Sequence, residues 1–140
     1  MKPVPPLTPE SSAGQDAETA PIAPATAPPK QGSITRMPLG SLYQLVQKDA
    51  ALIYDVRPKL IYGLGHIPGA ISWPLSAFQN DLPKHEPNIS AAIAGNTPVV
   101  IYCTDLACPD ASNVAKALAA RGHNVSILQG GYEAWKIATP

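Results

Sequence analysis

Thr97-Pro98-Val99-Val100-Ile101-Tyr102-Cys103 is an apolar, β-branched run, and Thr104-Asp105-Leu106-Ala107-Cys108-Pro109 after it is a short loop. A helical pattern follows, from Asp110 to Gly122. A strand that stops at a loop with a helix next is where open α/β sheets place their chemistry. Cys103 then sits at the carboxyl end of that strand. Loop N–H groups and a helix N-terminus both face such a position. They favour an anion there, which lowers a thiol pKa and holds a thiolate or a persulfide.

Outward from this stretch, helices and strands alternate. Leu39, Leu42, Tyr43 and Val46 recur at helical spacing, and Pro38 suits a first turn, so Pro38–Lys48 reads as a helix. Ala51–Val56 reads as a buried strand, Pro58–Gly63 as a short helix, and Ala70–Trp73 as a short strand ended by Pro74. Leu75–Leu82 is expected to be helical. Residues 83 to 96 are expected to be loop, with a helical turn near Ser90–Ile93. Pro98–Tyr102 is the expected central strand. Asp110–Arg121 is a helix with Val114, Ala115, Leu118 and Ala119 on its core face and Gly122 closing it. Val125–Leu128 is a strand, and Gly130-Gly131 turns the chain into a last helix carrying Tyr132 and Trp135. This alternation predicts an α/β fold, a central parallel sheet flanked by helices on both faces.

Length and composition set the outer bounds. The chain has 140 residues, so one domain is expected, and 10 basic against 10 acidic residues leave zero net charge. Nothing points to a nucleic-acid partner. Two cysteines five positions apart form neither a disulfide scaffold nor a zinc module, and three scattered histidines give no metal signal. No cofactor is implied. Residues 1 to 33 are rich in Pro and Ala, with no aromatic residue and no cysteine. Such a segment cannot bury enough apolar surface to offset its chain entropy, so it reads as a disordered, semi-extended tether. A tether to a membrane or a second domain fits it, in an exported or anchored setting; without an anchor the setting is cytoplasmic. The folded part is then residues 34 to 140, a single domain, expected to be a monomer.

Five stretches in order carry a family resemblance: Tyr54-Asp55-Val56-Arg57; Gly65-His66-Ile67-Pro68-Gly69-Ala70-Ile71; Val99 to Cys103; Arg121-Gly122-His123; and Val125 to Trp135. Together they resemble the rhodanese (sulfurtransferase) domain family. The resemblance implies a three-layer fold with a central parallel sheet, and a catalytic cysteine at Cys103 that cycles between thiol and persulfide. The thiolate would take the outer sulfur of a small donor and pass it to a thiol or an acceptor protein, a two-step covalent mechanism. The N–H groups of Thr104, Asp105, Leu106, Ala107 and Cys108 would stabilise the charged sulfur. Asp55 and Arg57 are expected in structural roles. His66 is expected to hydrogen-bond backbone near the site.

The chain departs from the family pattern in three places. The loop from Cys103 to Asp110 has no Lys or Arg and carries Asp105 and Asp110, so weak thiosulfate activity or another donor is expected. Asp110 is expected to cap the following helix, as is Ser112, with Asp105 a solvated loop residue. Cys108 makes a Cys-x4-Cys segment, as in a subgroup of the family. It is either a resolving thiol for Cys103 or a small residue packed under the loop. Ile61 stands where the family often has an acidic residue, so Arg57 is expected to find Asp55 or backbone carbonyls, or to replace the missing loop cation. His85 and His123 read as surface residues, Trp73 and Trp135 as core or pocket wall, and Gly130-Gly131 as a turn approaching the active loop. Two other functions remain open: a thiol–disulfide redox protein using Cys103 and Cys108, and a weakly active docking module. A phosphatase, the last reading, would need an arginine after the cysteine to bind phosphate, and none lies from Thr104 to Asp110.

Overall fold

The computed structural model describes residues 31–105 and 107–139. Five strands, β1 (Ile34–Met37), β2 (Leu52–Asp55), β3 (Ile71–Ser72), β4 (Val99–Tyr102) and β5 (Val125–Leu128), form one sheet in the order β1-β5-β4-β2-β3. Every pairing is parallel. Between them run α1 (Leu39–Gln47), α2 (Lys59–Leu64), α3 (Phe78–Ala94), α4 (Asp110–Ala120) and, last, α5 (Gly131–Ala138). β4 is the central strand, as its unbroken apolar run requires, because both of its faces are covered. From β2 the chain moves one way, to β3; from β4 it moves the other way, to β5. The crevice at the carboxyl ends of β2 and β4 is therefore the topological switch point.

Side-chain alternation divides the core in two. Val99, Ile101 and Cys103 join Tyr54, Val56 and Ile127 on one face, against Phe78, Leu82 and Ile89 of α3 and Ala111, Val114, Ala115 and Leu118 of α4. Val100 and Tyr102 join Ile53 and Leu128 on the other face, against Leu42 of α1 and Trp135 of α5. Both tryptophans are core residues. Helix α4 ends as its glycine predicts. Gly122 takes φ +93°, its N–H bonds the Ala119 carbonyl at 2.9 Å, and the His123 N–H bonds the Leu118 carbonyl at 3.1 Å.

Four readings need correction. Residues 83 to 94 are not loop: they continue α3, with Pro83 and Pro87 inside it. Both prolines are exposed, so the carbonyls they leave unpaired reach water. The buried face runs Phe78, Leu82, His85, Ile89, a helical spacing that carries the helix through them. Strand β1 was not expected. Ile34, Thr35 and Arg36 are exposed, so no hydrophobic period marks this edge strand. Backbone pairing with β5 holds it, aided by a Thr35–Ser126 hydroxyl contact at 2.8 Å. His85 is buried, edge-on to the Tyr54 ring and tilted against the Trp73 ring. His123 is mostly buried, and its Nε2 lies 2.8 Å from Glu86, which also takes Arg121 at 2.6 Å. Hydrogen bonds from Arg121 and His123 hold the Glu86 carboxyl down at about 2. The expected tether lies outside the described residues up to position 30. Its last residues are attached to the domain: the Gly32 N–H donates to the Ala119 carbonyl, and the Ser33 N–H to Asn124 Oδ1.

Candidate functional site

The ends of β4, β2 and β5 converge on the crevice. β4 delivers Cys103, whose side chain alternation turns toward α4 and buries it, 4 % exposed. The turn after β5 holds the start of the loop. The Tyr132 and Glu133 N–H groups donate to the Cys103 and Thr104 carbonyls, each at 2.9 Å. Gly131 takes φ +63°, and a Cβ there would stand 2.7 Å from the Cys103 oxygen. The Gly130-Gly131 turn thus meets the start of the cysteine loop at van der Waals limit, as the sequence predicts, and only glycine fits at Gly131.

Cys103 and Cys108 are joined by a disulfide across the loop, with Cα atoms 6.2 Å apart. Cys108 is half-buried. Between the two cysteines, Asp105 organises the backbone: its Oδ1 accepts the Ala107 N–H at 2.9 Å and its carbonyl accepts the Cys108 N–H at 3.2 Å. Two of the N–H groups expected to face the sulfur are therefore committed elsewhere. Those of Thr104 and Asp105 have no acceptor among the described residues. Leu106, also expected in the loop, lies outside the described residues. Asp105 itself is exposed, as expected.

Asp110 is not a cap. It is the first residue of α4, Pro109 occupies the capping position, and no side chain caps this helix, Ser112 included. The Asp110 carboxylate instead lies within 4.8 Å of both cysteine sulfurs. With the sulfurs bonded to one another, this trio offers a cation a single good ligand, the carboxylate. Asp110 also lines an apolar groove of about 310 Å³ with Val56, Pro58, Pro74, Leu75 and Ser76.

Sequence reasoning missed Arg36. This residue of β1 lines a narrow cleft of about 50 Å³ with Cys103, Cys108, Asp105 and Ser112. It has no ion-pair partner among the described residues. Arg36 borders this cleft from the far edge of the sheet, two strands away from β4, where no local pattern could announce it.

Arg57 faces a different way. Its Nη2 donates to Asp55 Oδ2 and to the Gly65 carbonyl, both at 2.7 Å, and its Nε donates to both Asp55 oxygens. The Tyr102 hydroxyl donates to Asp55 Oδ2 at 2.7 Å and accepts the Ile67 N–H at 3.1 Å. The guanidinium lies 4.4 Å from the Tyr132 ring centre. Burial opposes the Arg57 charge, but Asp55 outweighs it and holds the group above its usual range. Burial, then the Asp55 hydrogen bond, push the Tyr102 hydroxyl up. This network ties the end of β2 to β4, and Arg57 lines a groove of about 230 Å³ with Thr104, Tyr132, Glu133 and Lys136. His66 stacks on Tyr62, ring centres 3.8 Å apart, with its Nδ1 3.0 Å from the Tyr62 carbonyl, so it does engage backbone.

The comparisons with known proteins agree with this architecture. The model of the rhodanese-like domain family matches residues 39–138. The HTH-type transcriptional regulator Rv0324 of Mycobacterium tuberculosis is 34 % identical over 89 residues, 61 % of this chain and 34 % of that protein. The chain thus spans about a third of that relative's length. Among solved structures, the BH2092 protein of Bacillus halodurans superposes with a TM-score of 0.62 at 27 % identity, over 74 % of this chain and 72 % of that one. The human single-domain sulfurtransferase TSTD1 superposes at 0.55 with 23 % identity, over 75 % and 97 %, a likeness of fold. A parallel sheet in this order, with a cysteine loop at its switch point and a family model covering most of the chain, leads to one statement: the chain belongs to the rhodanese-like domain family.

Proposed function

We propose that this protein is a sulfurtransferase that carries sulfane sulfur as a persulfide on Cys103. The observation that carries the reading is the placement of Cys103. Its sulfur lies at the carboxyl end of the central strand, at the switch point, where α4 begins. Once the disulfide is reduced, the Cys103 thiolate attacks the outer sulfur of a donor, and the rest of the donor leaves as a thiolate or sulfite. A thiol or an acceptor protein then removes that sulfur and restores the thiolate. The Thr104 and Asp105 N–H groups and the positive end of the 11-residue α4 stabilise the negative sulfur in both steps. Asp105 and Asp110 work against them, and Arg36 offsets part of that repulsion.

The bonded cysteines favour a second reading, plain thiol–disulfide exchange. Intact mass separates the two. The protein is reduced, desalted and exposed to thiosulfate and, separately, to glutathione persulfide, with Cys103→Ser as control. Sulfur carried on Cys103 is expected to appear on the protein, or to leave it as sulfide, with either signal absent in Cys103→Ser. Loss of two hydrogens to added oxidised glutathione, with neither sulfur uptake nor sulfide from either sulfur donor, would replace the proposal by the exchange reading.

A further inference from the structure

We infer that the protein also reduces the sulfur it takes up, releasing it as hydrosulfide by attack of Cys108 on the Cys103 persulfide, with Asp110 relaying the proton. This rests on the persulfide reading above and adds a second activity, sulfide release driven by a dithiol.

Three groups converge here that simple transfer does not need. Cys108 Sγ reaches Cys103 Sγ closely enough to bond with the backbone as it stands, and the Cα separation of 6.2 Å is an ordinary disulfide span. The Asp110 carboxylate lies within 4.8 Å of both sulfurs. It heads α4 without capping it, and no hydrogen-bond donor among the described residues occupies its side chain. In a persulfide the inner sulfur is Cys103 Sγ itself, the atom that Cys108 meets in the disulfide.

The chemistry balances. The starting state is Cys103–S–S⁻ beside Cys108–SH. Asp110 takes the Cys108 proton as the thiolate attacks Cys103 Sγ. The bond between inner and outer sulfur breaks, and its electron pair leaves with the outer sulfur. Unprotonated, that sulfur would depart as S²⁻, a very poor leaving group. Asp110 passes it the proton, so it departs as HS⁻, and leaving-group basicity governs such exchanges. The product is the Cys103–Cys108 disulfide, and the carboxylate is regenerated. The two electrons that reduce sulfane sulfur to sulfide come from the two cysteines. An external dithiol restores them. Its first thiolate attacks the sulfur of Cys108, half-buried where Cys103 is only 4 % exposed, and expels the Cys103 thiolate. Its second thiol closes the dithiol to a cyclic disulfide. The net reaction of a persulfide donor RSS⁻ with a dithiol gives RS⁻, H₂S and the oxidised dithiol. Asp110 also lines the apolar groove beside Pro74 and Leu75.

A single-turnover experiment on the full chain tests this. Reduced, desalted protein is mixed with one equivalent of glutathione persulfide without other thiol, and intact mass and released sulfide are followed together. Wild type is expected to end two hydrogens lighter with about one equivalent of sulfide, and Cys108→Ser to stop one sulfur heavier with little sulfide. Asp110→Asn is expected to slow sulfide release at least tenfold, in line with loss of a positioned proton carrier, and to change its pH profile. Wild type that keeps the extra sulfur and releases none overturns the inference and leaves the persulfide reading standing. If neither wild type nor Cys108→Ser takes up sulfur or releases sulfide, both fall. If Asp110→Asn releases sulfide at the wild-type rate, the relay falls and the Cys108 step stands.

Discussion

Two adjacent strand ends, β2 and β4, lie in the same crevice and treat their polar groups in opposite ways. At the end of β2, Asp55, Arg57 and Tyr102 are buried, and the network satisfies both carboxylate oxygens. At the end of β4, Asp110 and Arg36 have no ion-pair partner and two N–H groups have no acceptor among the described residues, and two sulfurs can gain or lose a bond. A buried ion pair adds little net stability over an apolar core, but breaking it leaves a charge stranded. The first end therefore acts as scaffold. The second keeps free valences, which is what chemistry on an anionic sulfur requires.

The sharpest way to break this contrast is Asp55→Ala. It leaves the buried Arg57 charge and the Tyr102 hydroxyl without their partner, and is expected to cost about 3 to 5 kcal/mol of stability in denaturant titrations. Sulfur uptake per folded molecule should persist at low temperature. A fully stable Asp55→Ala that had lost sulfur uptake would move the β2 end from scaffold to chemistry.

A smaller effect is expected at the β4 end from Arg36→Gln. An exposed guanidinium contributes modestly, so KM for thiosulfate should rise about threefold to tenfold with kcat little changed. The difference should shrink in high salt, and a neutral trisulfide donor should not register the change. Equal effects on charged and neutral donors would remove Arg36 from donor binding.

The smallest effect concerns acid, and it belongs to neither end. Burial, then the Lys84 charge, lowers the His85 pKa below its ordinary 6.5. The unfolded chain then binds the proton more readily than the folded one. Stability is complete above about pH 6.5 and declines as pH falls from there toward the folded value. Melting temperature should drop between pH 7 and pH 5, and His85→Phe, ring for ring against Tyr54 and Trp73, should flatten that drop. An unchanged pH slope in His85→Phe would assign the acid sensitivity to another group.

Much of this was legible in the chain, for local reasons. The run from Val99 to Tyr102 is apolar at every position, which places it in the middle of a parallel sheet, and Cys103 follows it directly. Gly131 announces a close approach, and a Cβ added there would stand 2.7 Å from the Cys103 oxygen. The bond from Arg57 to Asp55 spans two residues, so proximity in sequence foretold it. The edge strand β1 was silent because its exposed residues follow no period, and α3 beyond Leu82 was hidden because Pro83 and Pro87 break the local pattern while its buried face ignores them.

By itself, then, the sequence determined the alternation of strands and helices, the central strand and the cysteine that follows it, because these depend on neighbours a few positions apart. Only the tertiary structure decided which groups surround that cysteine. Arg36 joins the site because β1 pairs with β5, which pairs with β4. Asp110 turns to the sulfurs because Pro109 takes the place before the helix and leaves its carboxylate free. Such meetings depend on how strands are ordered and how a helix is aimed, and no short window of residues encodes either.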